Sequence, residues 1–468
     1  MIFHSLDFAI FLLVFLAGYW SLPHRAQNVW LLVGSYFFYG YVHPWFLILL
    51  FGSCVADYAY ALGMQRFASK KRLLLVCSLC TNLGLLCFFK YFGFFVDNVL
   101  WLGERLGVAL HRPTLHVLLP VGISFYTFQS LSYTIDVYRG RLAARSNFLD
   151  FATFLALFPQ LVAGPIERAT HVLPQVERPR VFDPEQARLG LLLMGWGLFK
   201  KLVIADNVAV IANKVFLLSS PSFALVWTGT LAFAVQIYAD FSAYSDIARG
   251  TAKLLGFDLM RNFDHPYLSE TPSEFWRRWH ISLSSWFRDY VYIPLGGNRG
   301  TSFRTSLNLF LTFLLSGFWH GASWNFVMWG AYHGLLLILH RLLDRYFPWL
   351  FSVRWLRPVR IVCLFALVNV GWLMFRETDV RQLLHDLSLR PGQDSPAQWM
   401  AAGQFLGLIF LYSSPLLVDS ALYLSGVYER ARNTTRWALA QGLLVAALIC
   451  GMVLLCSEVP SDFIYFQF

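Results

Sequence analysis

Apolar runs of about 20 residues recur along almost the whole chain, and that property decides what it can fold into. A stretch of roughly 20 apolar residues wound as an α-helix spans the ~30 Å hydrocarbon core of a bilayer. Every backbone N–H and C=O in that core must be satisfied within the segment, which leaves helices as the spanning element here. The runs fall near 6–22, 28–42, 45–63, 73–96, 115–137, 148–164, 189–205, 223–244, 305–319, 323–342, 358–375, 403–424 and 436–456. The chain is therefore expected to be an all-α polytopic membrane protein. Some runs are short or interrupted, which predicts a bundle of roughly eleven crossings together with re-entrant or interfacial helices. Composition agrees: 57% of residues are hydrophobic and 14% charged, against about 25% charged in soluble domains.

The first run is not expected to be a cleaved signal. No basic stretch precedes it, and its exit, Ser21-Leu-Pro-His-Arg25, lacks a small-residue cleavage pattern. The net charge of +10 follows from loops rich in Lys and Arg on the cytoplasmic side. Arg66-Phe-Ala-Ser-Lys-Lys-Arg72 is the clearest of them, and the N-terminus is expected to face outward. Nucleic acid is not an expected partner. Cys77-Ser-Leu-Cys80 lies in an apolar helix with no second pair beside it, and it reads as small buried side chains, not a metal or redox site.

The organisation is read as one integral membrane domain: scaffold helices over 1–110, a motif-bearing core over 115–335 and C-terminal helices over 336–468. Segment 166–188, with Pro174, Pro179 and Pro184, is expected to be a loop outside the membrane. Leu383, Leu384 and Leu387 predict a short surface helix within 376–400.

A simple transporter scaffold would not require the polar middle, 238–304. It holds Asp240, Asp246, Arg249, Lys253, Asp258, Arg261, Asp264 and His265. Thr271-Pro-Ser-Glu274 offers a hydroxyl N-cap, proline at N1 and glutamate at N3, which predicts a capping box. From there Trp276, His280, Leu283 and Phe287 fall on one face of a helix, with Arg277, Arg278, Ser285 and Arg288 largely off it. Residues 272–296 thus read as a re-entrant or interfacial element.

His320 stands in Gly317-Phe-Trp-His-Gly321, where two apolar runs meet. An ionisable group inside a bilayer is a functional-site candidate by default, and an imidazole can take a proton from an alcohol near neutrality. The flanking glycines let backbone or ligand approach the ring. The run 305–319, if helical, carries the chain about 22 Å from the arginines before it, so His280 meets His320 only if its own helix re-enters. His280 is also open to reading as a satisfied core residue, and His333 reads as structural. No His/Cys cluster lies near these histidines, so no metal is expected.

The chain resembles the membrane-bound O-acyltransferase (MBOAT) family, in the bacterial branch of alginate O-acetylation proteins. The resemblance rests on Pro120-Val-Gly-Ile-Ser-Phe-Tyr-Thr-Phe-Gln129 with Ile135-Asp-Val-Tyr-Arg139, and on Phe158-Pro-Gln-Leu-Val-Ala-Gly-Pro-Ile-Glu-Arg168. It continues through Gly197-Leu-Phe-Lys-Lys-Leu-Val-Ile-Ala-Asp206, Tyr238-Ala-Asp-Phe-Ser-Ala-Tyr-Ser-Asp246, Phe275-Trp-Arg-Arg-Trp-His280, Asn298-Arg299 and Gly317–Gly321, in order over about 115–335. The resemblance implies acyl transfer from a cytoplasmic thioester, acetyl-CoA, to a hydroxyl, with no bound cofactor and with His320 and His280 catalytic. It implies an inner-membrane protein that helps acetylate an exopolysaccharide such as alginate or cellulose. Expected partners are membrane lipids, a periplasmic acetyltransferase, and subunits of a polysaccharide synthase or modification complex. Arg277 and Arg278 would hold donor phosphates or mark the cytoplasmic interface, and nearby backbone N–H groups, Trp324 or Asn325 would steady the oxyanion. Asp136, Asp240 and Asp246 are expected to pair with basic residues. The competing readings are a transporter or flippase with His320 as a proton relay, and a non-catalytic scaffold. Internal pseudo-symmetry between halves would favour the transporter, and none is evident.

Overall fold

The computed structural model describes residues 1–112, 115, 117–162, 164–427, 435–459 and 461–464. Among these residues there is no strand, and helices follow the apolar runs. They are α1 (Leu6–Trp20), α2 (His24–Gly40), α3 (Phe46–Arg66), α4 (Lys71–Leu86), α5 (Phe92–Arg105), α6 (Ile123–Tyr138), α7 (Phe148–Ala156), α8 (Phe158–Leu161), α9 (Ala169–Glu177), α10 (Pro184–Phe199) and α11 (Asp206–Phe216). There follow α12 (Phe223–Leu254), α13 (Pro272–Arg278), α14 (Ile281–Phe287), α15 (Ser302–His320), α16 (Trp324–Tyr346), α17 (Trp349–Ser352), α18 (Arg357–Arg376), α19 (Val380–Ser388), α20 (Pro396–Ser425) and α21 (Thr435–Leu455). Six helical stretches are long and apolar enough to cross a membrane among the described residues: Phe46–Arg66, Ala68–Arg105, Phe223–Leu254, Trp324–Tyr346, Arg354–Arg376 and Pro396–Ser425. The expectation of roughly eleven crossings also included runs that form shorter helices, such as α1 and α2, or more polar ones, such as α15.

The chain divides into two compact units. The first comprises residues 1–191 and 248–260. Here the expected run 148–164 is not one span. It forms α7 and α8, with nine and four residues, and nine residues rise only about 14 Å. The break has a local cause: Pro159 has no N–H to donate to a continuing helix, and the Phe158 N–H donates to the Ser35 hydroxyl (3.1 Å). The segment 166–188 is likewise more ordered than a loop, because Val172, Leu173 and Val176 are buried on one face of α9. That apolar face outweighs the missing N–H of Pro174 inside the helix. Glu167, fully buried, accepts from the Met260 N–H (2.5 Å) and hydrogen-bonds His171 Nδ1 (2.8 Å). In α3, buried Asp57 accepts from Ser78 (2.6 Å), Asn82 (2.7 Å) and Ser130 (2.5 Å). Asp136 pairs with Arg141 at 3.8 Å.

The second unit comprises residues 192–247 and 261–468. After α10 the helix widens to π geometry over Lys200–Ala205, which aims both lysines inward. Lys200 pairs with Asp246 (2.7 Å), and Lys201 with Asp206 (2.9 Å) and Asp240 (3.0 Å). The pairing expected for Asp240 and Asp246 is therefore present. The Asp394 carboxylate accepts from the Phe223 and Ala224 amides (3.1 and 2.7 Å), placing negative charge at the start of α12, where the helix dipole favours it. The surface helix expected in 376–400 is α19, with Leu383 buried against Val226 and Leu373 and Leu384 facing out.

The α15–α16 hairpin packs backbone against backbone. A methyl group at Gly317 would stand 2.2 Å from the Phe326 carbonyl, and one at Gly330 would stand 2.4 Å from the Phe313 carbonyl. At Gly321 it would meet the Phe326 ring at 2.1 Å. The glycines around His320 thus admit neighbouring protein, backbone at Gly317 and the Phe326 ring at Gly321.

Candidate active site

Local chemistry starts α13 as expected and then departs from expectation. Thr271 Oγ1 accepts from the Glu274 amide (3.2 Å), but the Glu274 carboxylate takes the Glu270 amide (2.9 Å), so the reciprocal half of the box is displaced by one residue. The helix expected to continue through Phe287 stops at Arg278, Trp279 is extended, and His280 adopts a left-handed backbone with φ 42°. Bonds from a distant stretch produce the break. The Asp264 amide donates to the Arg278 carbonyl (3.0 Å), and the Ile281 amide donates to the Asn262 carbonyl (2.9 Å). A left-handed backbone destabilises a non-glycine residue by about 1–2 kcal/mol. The expected stripe is buried nonetheless: Trp276, His280, Leu283 and Phe287 all face inward.

His280 sits at the tip of this broken element, 1% exposed, and Phe241 approaches its ring edge-on at 4.7 Å between centroids. His320 is the last residue of α15 and 5% exposed. Around it stand Trp319 (5.1 Å), Trp329 (5.0 Å, 84°) and Phe375 (5.3 Å, 75°). Trp319 also lies 6.3 Å from His280, so one indole neighbours both imidazoles. His280 thus lies beside Trp319, which stands about 25 Å along α15 from Ser302, and the two histidines meet at one indole.

A cavity of about 410 Å³ is lined by Ile281, next to His280, and by Ser316, one turn before His320, but by neither imidazole. Exposed Arg277 and Arg288 line one part, and Ser284, Ser285, Thr312 and Ser316 another. Ser316, buried, precedes His320 by one helical turn. The two candidate arginines part company here. Arg278 is held by Glu274 (2.8 Å) and by the Asp264 carbonyl (3.2 Å), whereas Arg277 lines the cavity. Trp324 is 54% exposed at the start of α16. Asn325 is buried, and its amide donates to the Met374 carbonyl (3.1 Å), next to Phe375. His333 fills the space between Trp276 (5.0 Å) and Trp329 (4.8 Å), as a packing residue does. Among the described residues no group of three or more His, Cys, Asp or Glu side chains is placed to hold a metal ion.

Sequence reasoning did not identify Phe241, Trp329 and Phe375 as ring neighbours of the histidines. Phe241 and Trp329 lie in or near the quoted motifs, but Phe375 comes from a helix that only tertiary packing brings in.

A sequence model described as MBOAT, membrane-bound O-acyltransferase family, matches residues 105–377. The probable alginate O-acetylase AlgI of Pseudomonas aeruginosa is 43% identical over 81% of this chain and 73% of its own length. That of Pseudomonas putida is 38% identical over the full length of both chains. The peptidoglycan O-acetyltransferase of Helicobacter pylori is 33% identical over 98% of this chain and 95% of its own.

Proposed function

Because this chain belongs to the membrane-bound O-acyltransferase family, we propose that it passes an acetyl group from cytoplasmic acetyl-CoA to an exopolysaccharide of the alginate or cellulose type. It is a membrane-integral acyltransferase. The finer reading places it in a bacterial inner membrane, handing the acetyl group to the polymer directly or through a periplasmic acetyltransferase of a polysaccharide modification complex. Relatives named for alginate O-acetylation align over most of the chain, which favours that polymer class.

The observation that carries the reading is the pair of buried histidines around Trp319, near a cavity that is lined by Arg277 and Arg288 and by Ser316, one turn before His320. Those guanidiniums suit the phosphates of the donor, and the cavity takes the thioester arm toward Ser316. His320 then accepts the proton of the acceptor hydroxyl as its oxygen attacks the thioester carbonyl. The tetrahedral intermediate collapses with cleavage of the C–S bond, and the thiolate recovers the proton from the imidazolium. His280 orients the reacting groups from the other side of Trp319. Of the two oxyanion candidates, Asn325 donates to the Met374 carbonyl, and Trp324 stands half-exposed at the start of α16.

The test is His320→Ala in the native host, with membrane abundance checked and the O-acetyl content of the secreted polymer measured. A loss of about 10²–10⁴-fold is expected for removal of a general base; unchanged acetylation at normal abundance ends the catalytic assignment. Normal acetylation in His280→Ala returns that residue to a packing role.

A further inference from the structure

The C-terminal residues 461–464 fold back onto the second unit and are held there by its most deeply buried charges. Lys201 donates to the Ser461 carbonyl (2.7 Å), and the Ser461 hydroxyl donates to Asp206 (2.5 Å). The Ile464 amide donates to Asp240 (2.7 Å). Lys201, Asp206 and Asp240 are each at most 1% exposed, so the tail completes a buried ionic cluster. Between these two anchors Phe463, 1% exposed, stacks on Tyr244 (3.9 Å, 28°) and packs against Phe241 (5.9 Å, 61°). Phe241 in turn meets the His280 ring edge at 4.7 Å. His280 also has a left-handed backbone, a conformation that persists only when surrounding contacts over-determine it.

We propose that Phe463 is a positioning residue for His280, acting through Phe241, and that Lys201, Asp206 and Asp240 are the lock that seats it. The inference rests on the catalytic reading of the histidine pair. A tail that merely covered helix ends would need neither a buried ionic cluster nor a ring stacked in line with His280. Removing the Phe463 ring leaves space behind Phe241, and Phe241 and the imidazole shift into it. A displacement of about 1 Å in a reacting group lowers turnover by up to 10²-fold without altering donor binding.

The test uses the full-length protein in membrane vesicles, with acetyl-CoA as probe and free CoA as product. Phe463→Ala is expected to lower kcat about 10-fold or more while KM for acetyl-CoA stays within about twofold, because ground-state binding is untouched. Phe463→Tyr keeps the ring and is expected to restore kcat. Labelling of histidines with diethyl pyrocarbonate, mapped by mass spectrometry, gives a readout independent of turnover. His280 modification should rise in Phe463→Ala and return to the wild-type level in Phe463→Tyr, with His171 unchanged in both. Unchanged His280 labelling in Phe463→Ala overturns the proposal, as does a kcat that follows only the amount of folded protein. His320→Ala, run alongside, reports on the catalytic reading alone. Retained activity there removes the catalytic assignment of His320 and leaves the labelling to decide whether Phe463 positions His280.

Discussion

Asp57 in the first unit and Lys201 in the second are equally buried, yet they are stabilised by different partners. Asp57 takes its hydrogen bonds from neutral groups, the Ser78 and Ser130 hydroxyls and the Asn82 amide. Lys201 takes Asp206, Asp240 and the Ser461 carbonyl. A carboxylate surrounded by neutral dipoles loses one bond at a time when a partner is removed. A cluster of ions loses its charge balance at a stroke. The histidines show a third setting, with aromatic rings packed around them: Phe241 at His280, and Trp319, Trp329 and Phe375 at His320. The teaching is a difference of means: neutral dipoles or opposite charges hold the buried acids and lysines in place, and ring packing holds the two imidazoles.

Predictions that break or sharpen this contrast run from large to small. Lys201→Met leaves two carboxylates buried together, and the loss of stability should be about 3–5 kcal/mol, as for other half-removed buried ion pairs. Thermal or denaturant unfolding of the detergent-solubilised protein measures it. A variant as stable as the wild type would mean that Asp206 and Asp240 do not both carry charge, and the contrast would fall. Asp57→Ala orphans three neutral donors and should destabilise by about 1–3 kcal/mol, with Asp57→Asn closer to wild type because an amide oxygen still accepts. Equal losses for Asn and Ala would show that Asp57 is needed as a charge.

The smallest effect is expected at His171, on the partly exposed face of α9. Its hydrogen bond to Glu167 holds the imidazole pKa above its ordinary value of 6.5. A raised histidine pKa adds stability that is fully present below about 6.5 and is lost as pH rises through the folded-state value. His171→Ala should therefore lower stability at pH 6 by less than about 1 kcal/mol, given solvent screening. The gap from wild type should narrow at higher pH, and a gap that widens instead would refute the pairing.

Much of this molecule is visible in local pattern. Helices appear where apolar runs reach span length, Thr271 caps α13, and the stripe through His280 and Leu283 is buried. What pattern does not carry is any feature decided by a distant stretch. The break at His280 is made by the backbone of Asn262 and Asp264, and no residue within 276–287 announces it. Asp57 is a single acid in an apolar run, and its partners lie on α4 and α6, where Ser78 and Ser130 look like ordinary small residues. The tail is further still, since Ser461 and Ile464 find Asp206 and Asp240 more than 200 residues upstream. The shift of the Glu274 half-bond to Glu270 shows the same limit on a smaller scale.

The crossing of α15 and α16 at Gly317 and Gly330 also separates what can drift in such an enzyme from what cannot. With backbone against backbone, even a methyl group pushes the two helices apart, and His320, three residues beyond, would be carried with them. Leu309, Phe313 and Leu337 lie on the same two helices but face the cavity. Of these, Phe313 also lies at the crossing, where its carbonyl faces Gly330 and its Cβ faces Gly334, which leaves Leu309 and Leu337 as the positions away from those contacts. Substitutions at Leu309 and Leu337 are therefore expected to reshape the cavity while the bracket that carries His320 stays as it is.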